Sequence, residues 1–202
     1  MLPSSIPLFP LPNVVLFPNV FLPLHIFELR FREMVTDALH SDRIIGMALL
    51  RPGWEEDYEG RPPVYSVGCA GLITNFEQLE NGRYNIILRG LQKFRILDED
   101  NQRNYRLAHV DGIIEPLNDS IRQAIRRDRV HLETLVTKGL HQAGTESQVP
   151  ASIPDDDLVN ALAQYLDLEP VEKQALLERD GLLHLSLIHI SAPTRRYAIS
   201  YA

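Results

Sequence analysis

The chain has 202 residues, of which 45% are hydrophobic and 23% charged, and its formal net charge is −7. That composition fits one large globular domain or two small ones and excludes a chain that is disordered, collagenous or coiled-coil throughout. The single cysteine, Cys69, excludes an internal disulfide and fits a reducing compartment. No apolar run approaches the ~20 residues of a membrane helix, and prolines break the apolar start, so no signal peptide is read. Neither half of the chain is basic, which opposes a general phosphate-binding surface.

Proline shapes the first elements. It occupies positions 3, 7, 10, 12, 18 and 23 of an otherwise apolar segment. Proline has no backbone donor and is excluded from mid-sheet positions. Short strands are therefore expected at 6–8 and 14–16, with bends between them. The period then changes. Phe27, Phe31, Met34, Val35 and Ala38 make one apolar helical face, predicting a helix over 27–39. Residues 44–50 read as a buried strand, and 51–63 as a polar loop punctuated by Gly and Pro. Strands at 67–76 and 83–89 are expected to form a hairpin. Its turn is Asn81-Gly82, a pair that tolerates the two positive φ angles of a type I′ turn. Tyr84, Ile86 and Leu88 share one face, and Gly90 predicts a bulge or bend before Phe94 and Ile96. Residues 105–110 and 113–114 read as a further strand pair. Short strands at this spacing point to a sandwich or barrel.

Beyond Pro116 the period is helical. Asn118 or Asp119 is suited to cap a helix over 119–140, marked by Ile121, Ile125, Leu132, Leu135, Val136 and Leu140. A polar linker is expected at 141–152. The acids at 155–157 suit the start of a helix whose face is Leu158, Leu162, Tyr165 and Leu166. Pro170 suits the first position of a last helix, with Val171, Ala175 and Leu176 as its buried residues and Gly181 as its stop.

Catalytic signatures are scarce. Gly139 and Gly144 have phosphate-loop spacing, but Thr145 stands where a lysine is needed. There is no G-x-S-x-G elbow, no H-E-x-x-H and no paired Cys-x-x-Cys, and the seven histidines show no ligand spacing. His25 reads as a structural histidine, Cys69 as a small buried hydrophobe, and Arg122, Arg126 and Arg129 as a solvated helix face. Phe9, Phe17 and Phe21 lie in the proline-rich start, most of them expected to pack the core. Trp54 and Tyr58 sit in the loop least tied to the core pattern. Trp54, Tyr58, Phe17 and Phe21 are the peptide-binding candidates, because aromatic side chains offer large contact areas at low entropy cost.

Several segments in order carry a family likeness. They are Ile6-Pro-Leu-Phe-Pro-Leu-Pro, Val15-Leu16-Phe17-Pro18 and Leu22-Pro-Leu-His-Ile-Phe-Glu-Leu-Arg30, then Val67-Gly68, Asn81-Gly82-Arg83-Tyr84, Leu88-Arg-Gly90 and Phe94-Arg95-Ile96. Together they resemble the Lon protease N-terminal domain over about residues 5–180, and in particular the bacterial members that contain only this domain. Phe31 departs from the pattern, where tyrosine is common.

The resemblance implies an α+β fold. Residues 1–117 would form a PUA-like β pseudo-barrel with one early helix, and 118–184 a small C-terminal helical bundle. It also implies a non-catalytic, cytoplasmic protein- or peptide-binding module with no cofactor and no metal. Its partners would be protein or unfolded-peptide substrates, with weak self-association admitted and no membrane. In full-length Lon the ATPase and the Ser–Lys protease dyad lie on later domains, which 202 residues do not accommodate. Two alternatives stay open: an RNA-binding PUA-like module, which calls for a basic face, and an accessory subunit of an ATP-dependent protease. Residues 185–202 resemble the conceptual translation of a sequencing adapter and are expected to be non-native; the alternative is a native C-terminal tail.

Overall fold

The computed structural model describes residues 2–58, 60–100, 102–114, 119–142, 154–165 and 167–178. Most of the expected 141–152 linker, the cap at Asn118, Leu166, the stop at Gly181 and the 185–202 tail lie outside these residues. In chain order the elements are β1 (Ser5–Leu11), β2 (Phe21–Ile26), α1 (Leu29–Leu39), β3 (Ile44–Leu49), β4 (Val67–Gln78), β5 (Tyr84–Asp100), β6 (Arg106–Gly112), α2 (Asp119–Gln142), α3 (Asp155–Tyr165) and α4 (Pro170–Glu178). The fold is α+β, as expected.

Six strands form one mixed sheet in the order β2-β5-β4-β3-β1-β6, and β6 pairs again with β5. Five strands therefore close on one another while β2 stays outside, giving a pseudo-barrel rather than a clean barrel. The long strand β5 makes this arrangement. One edge is occupied by β4 beside residues 84–95; the other is shared, with β2 beside residues 84–89 and β6 beside 94–100. The handover needs Gly90. Its N–H donates to the Val20 carbonyl and its carbonyl accepts from Asn19 N–H, both at 2.9 Å. A Cβ there would stand 2.1 Å from the Phe17 carbonyl oxygen, so only glycine fits this close approach. Leu91 is the bulged residue: Gly71 faces Gly90 and Ala70 faces Gln92.

The prolines are placed differently from expectation. Residues 5–8 of β1 pair with β6, and residues 8–11 pair with β3. Pro7 and Pro10 thus each have a strand on one side only, so neither missing donor interrupts a two-sided ladder. Residues 14–16 are not a strand but an irregular segment that inserts Val15, Leu16 and Phe17 into the core. The second strand is β2, which tolerates Pro23 because it ends the sheet.

Other boundaries shift as well. The helix begins at Leu29, leaving Phe27 58% exposed, while Phe31, Met34, Val35 and Ala38 are buried. In the hairpin, Gly82 has φ 74° but Asn81 does not take a positive φ. Leu79 and Arg83 flank a three-residue loop, with Gly82 N–H donating to the Leu79 carbonyl at 2.8 Å. That is a turn followed by a left-handed glycine, not type I′. Residues 105–114 supply one strand, β6, not a pair.

The buried cluster is continuous from sheet to helices: Phe17, Ile45 and Leu88 belong with Ile125, Leu132, Leu158 and Leu162. A smaller cluster of Ile6, Leu8, Ala70, Phe94, Ala108 and Val110 lies apart from it. On α4 the buried residues are Gln174 and Leu177, whereas Val171 is half-exposed. Gln174 Nε2 donates to the Val67 carbonyl and to Glu178 Oε1, both at 2.9 Å, fixing α4 on β4. Arg126 is solvent-exposed, as expected of a solvated face, whereas Arg129 is half-buried. Both reach Asp155, at 3.3 and 2.8 Å, and clamp α2 to the start of α3.

Candidate functional site

Strand β2 is the sheet's open end. Its register with β5 sets Phe21 opposite Arg89, Pro23 opposite Ile87 and His25 opposite Asn85. Alternation puts these pairs on the outward face. Phe21 is 54% exposed, and Phe27, just past the strand, is similarly open. A groove of about 480 Å³ lies on this face, lined among others by Pro23, His25, Phe76, Asn85 and Ile87. His25 Nδ1 lies 2.8 Å from Asn85 Oδ1, and Asn85 Nδ2 donates to Glu77 Oε2 at 2.9 Å. The His25 ring also stacks on Phe27 at 6.2 Å. The groove therefore joins an apolar rim to a fixed row of hydrogen-bonding groups.

The loop aromatics are more firmly held than their sequence setting implies. Trp54 opens a short helical turn over residues 54–57 and meets the Tyr58 ring edge-on at 5.4 Å. The Tyr58 hydroxyl donates to Glu28 Oε1 at 2.6 Å, and its carbonyl accepts from Arg30 Nη2 at 3.2 Å. Burial, and then the Glu28 carboxylate, raise the Tyr58 pKa. Tyr58 is thus part of the framework, a correction to its reading as the residue of a loosely tied loop. Phe17 is corrected too: it is 3% exposed, so its ring packs the core and is not presented to a partner. Phe9 is buried as well, with its ring 4.6 Å from Phe31. Of the four candidates, Phe21 is exposed, and Trp54 and Tyr58 are both partly exposed.

Sequence reasoning missed the cavity behind this loop. It holds about 240 Å³, and its walls include Arg30, Arg61, Arg103 and Arg106 over Phe31 and Tyr105. These residues are scattered along the sequence, and no local motif announces them. Near the cavity, the Tyr105 hydroxyl donates to Asp37 Oδ2 at 2.7 Å and accepts from Arg103 Nη1 at 2.6 Å. Burial and the Asp37 carboxylate push the Tyr105 pKa to about 12. Cys69 is fully buried, which pushes its thiol up to about 12, so it is protonated and inert as a nucleophile. Among the described residues no group of three or more His, Cys, Asp or Glu is placed to hold a metal ion. Nor is any helix among them long and apolar enough to cross a membrane.

A family model for the ATP-dependent protease La (LON) substrate-binding domain matches residues 5–183. The chain belongs to the Lon substrate-binding domain family. Lon protease 2 of Myxococcus xanthus is 28% identical over 183 residues, covering 88% of this chain and 22% of that protein. The Lon protease of Flavobacterium johnsoniae is 26% identical over 191 residues, covering 92% and 23%. This Lon substrate-binding chain therefore spans about a fifth of the curated relatives it matches. Its fold is that of a Lon N-terminal domain protein from Xanthomonas campestris, with TM-score 0.65 and 22% identity over 94% of this chain and 99% of that one. The N-terminal domain of the Mycobacterium avium complex Lon protease matches with TM-score 0.62 and 18% identity over 92% and 96%. The Lon family match runs across the sheet and all four helices.

Proposed function

We propose that this Lon-family domain is a non-catalytic recognition module that takes up extended protein or peptide segments along the free edge of β2. The observation that carries the reading is the edge itself: β2 ends the sheet and sets Phe21 and Phe27 out to solvent beside a groove. An added strand gains backbone hydrogen bonds from such an edge whatever its side chains, while pockets on the face select apolar ones. That combination suits unfolded segments of varied sequence. Pro23 supplies no donor, so an added strand loses one bond, and open-ended sheet growth is discouraged at the same point. Trp54 is the second contact, a partly exposed ring braced by the fixed Tyr58.

The description of the family as substrate-binding supports this reading, as do the names of its relatives. Presenting the captured segment to an ATP-dependent protease is the accessory form of the same function. Cytoplasmic residence suits the reduced, buried Cys69. The net charge of −7 argues against RNA as the partner.

The test is fluorescence anisotropy with a fluorescein-labelled, uncharged apolar peptide. Saturable binding is expected, with Phe21→Ser weakening it by about tenfold or more, as for an aromatic hot spot. Absence of saturable binding, or capture of RNA in preference to peptide, contradicts the proposal.

A further inference from the structure

The cavity behind the 51–63 loop has a chemistry unlike the rest of the molecule. On a chain with net charge −7, four arginines line it, and among the described residues no aspartate or glutamate does. We propose that it is a subsite for a carboxylate of the bound peptide, either the C-terminal carboxylate or an aspartate or glutamate side chain. The inference rests on the peptide-recognition reading above and names what a segment carries in addition to its apolar side chains.

Among the described residues, the acids that hold Arg30, Arg106 and Arg103 are not part of the cavity lining. Glu28 pairs with Arg30 at 3.0 Å, Glu99 grips Arg106 through two bonds of 2.6 and 2.8 Å, and Asp37 holds Arg103. The Arg106 guanidinium also donates to the Pro62 carbonyl at 2.6 Å. Arg61 donates to the carbonyls of Asp100 and Arg103 at 3.2 and 2.8 Å. The forks are therefore set before any ligand arrives, which lowers the entropic cost of binding. Donors remain. Arg30 is engaged through Nε and Nη2, and among the described residues nothing takes its Nη1. Among the described residues, Arg103 is engaged through Nη1 alone.

The surroundings strengthen an ion pair formed here. Pro10, Leu50, Phe31 and Tyr105 supply apolar wall, and the Arg30 guanidinium lies over the Phe31 and Tyr58 rings at 4.6 and 5.1 Å. Low-polarity walls reduce the screening of a charge pair. A planar guanidinium matches a planar carboxylate with two parallel hydrogen bonds. The volume of about 240 Å³ is below the roughly 300–1,000 Å³ of ordinary small-molecule sites, and so suits one residue of a peptide rather than a free cofactor.

The experiment compares labelled apolar peptides that differ only in charge. One carries a single aspartate and a free C-terminus. The others have the aspartate exchanged for asparagine, the C-terminus amidated, or both. The neutral peptide is expected to bind about tenfold more weakly than the fully acidic one, and the single change that reproduces this loss identifies the source of the carboxylate. In Arg103→Gln the discrimination is expected to vanish, and in Arg103→Lys, which keeps the charge but loses the fork, to shrink. Independently of any variant, sodium acetate should compete against the acidic peptide on the wild-type chain. Equal affinity for acidic and neutral peptides overturns the subsite; if Phe21→Ser still weakens both, peptide recognition at β2 stands without it. Competition by inorganic phosphate but not by acetate also overturns it, assigning the cavity to phosphate.

Discussion

Glu28 and Tyr58, thirty positions apart, are joined by a 2.6 Å hydrogen bond that ties the polar loop to the residue preceding α1. Glu28 also pairs with Arg30, whose guanidinium lies over the Tyr58 ring, so three side chains brace one another. Tyr58→Phe keeps the ring and removes the bond to a carboxylate. At this partly exposed site the loss is expected to be about 1 kcal/mol, or roughly 2–4 °C in melting temperature by calorimetry. Trp54→Ala, by contrast, is expected to leave the melting temperature nearly unchanged and to weaken peptide binding about tenfold. A fall of several degrees with unchanged affinity would make Trp54 structural.

A second prediction concerns alkaline pH. The Tyr105 phenol is raised from its ordinary value of 10.0 to about 12, chiefly by burial and then by Asp37. Above pH 10 the unfolded chain gives up this proton while the folded chain retains it. The folded state then binds more protons, so stability falls as pH rises. The contribution is complete below pH 10 and is lost progressively between 10 and 12. Urea melts across that window should show stability dropping in the wild-type chain, with a shallower drop in Tyr105→Phe. Identical slopes would show that Tyr105 carries no part of the dependence.

The handover at Gly90 gives a third. A methyl group there overlaps the Phe17 carbonyl, a backbone atom that cannot move aside without displacing the buried segment beside it. Gly90→Ala is expected to cost on the order of 3 kcal/mol. Gly53→Ala is the comparison: φ is 89° but nothing lies within 4 Å, so only backbone strain of about 1–2 kcal/mol is expected. Chemical denaturation that ranks the two the other way would contradict the close approach.

Fourth, Cys69 is fully buried with its thiol held near pKa 12. A thiol reagent at pH 8 should leave the native protein unlabelled and react at once in denaturant. Stoichiometric labelling of the native chain would place this strand nearer the surface.

Much of the architecture was legible in the sequence because single segments encode it. The 3.6-residue period set the buried face of α1, the alternation of Tyr84, Ile86 and Leu88 set the inward face of β5, and Gly90 marked the bulge. The failures share a cause. Pro7 and Pro10 survive inside β1 because the strand changes partner halfway along, a fact about β3 and β6 rather than about residues 5–11. Phe17 and Phe21 look alike locally, yet one enters the core and the other lies on an open edge. Gln174, polar and buried, is explained only by the Val67 carbonyl that it meets. The arginine cavity collects its four arginines from three regions of the chain, so nothing local pointed to it.

The most direct test of peptide recognition at β2 is an NMR titration of the ¹⁵N-labelled full chain with an extended apolar peptide. The account predicts amide shifts confined chiefly to β2, the facing 84–89 segment of β5 and Trp54, with protection from hydrogen exchange appearing along β2. Shifts confined to the helices, or none at peptide saturation, would contradict it.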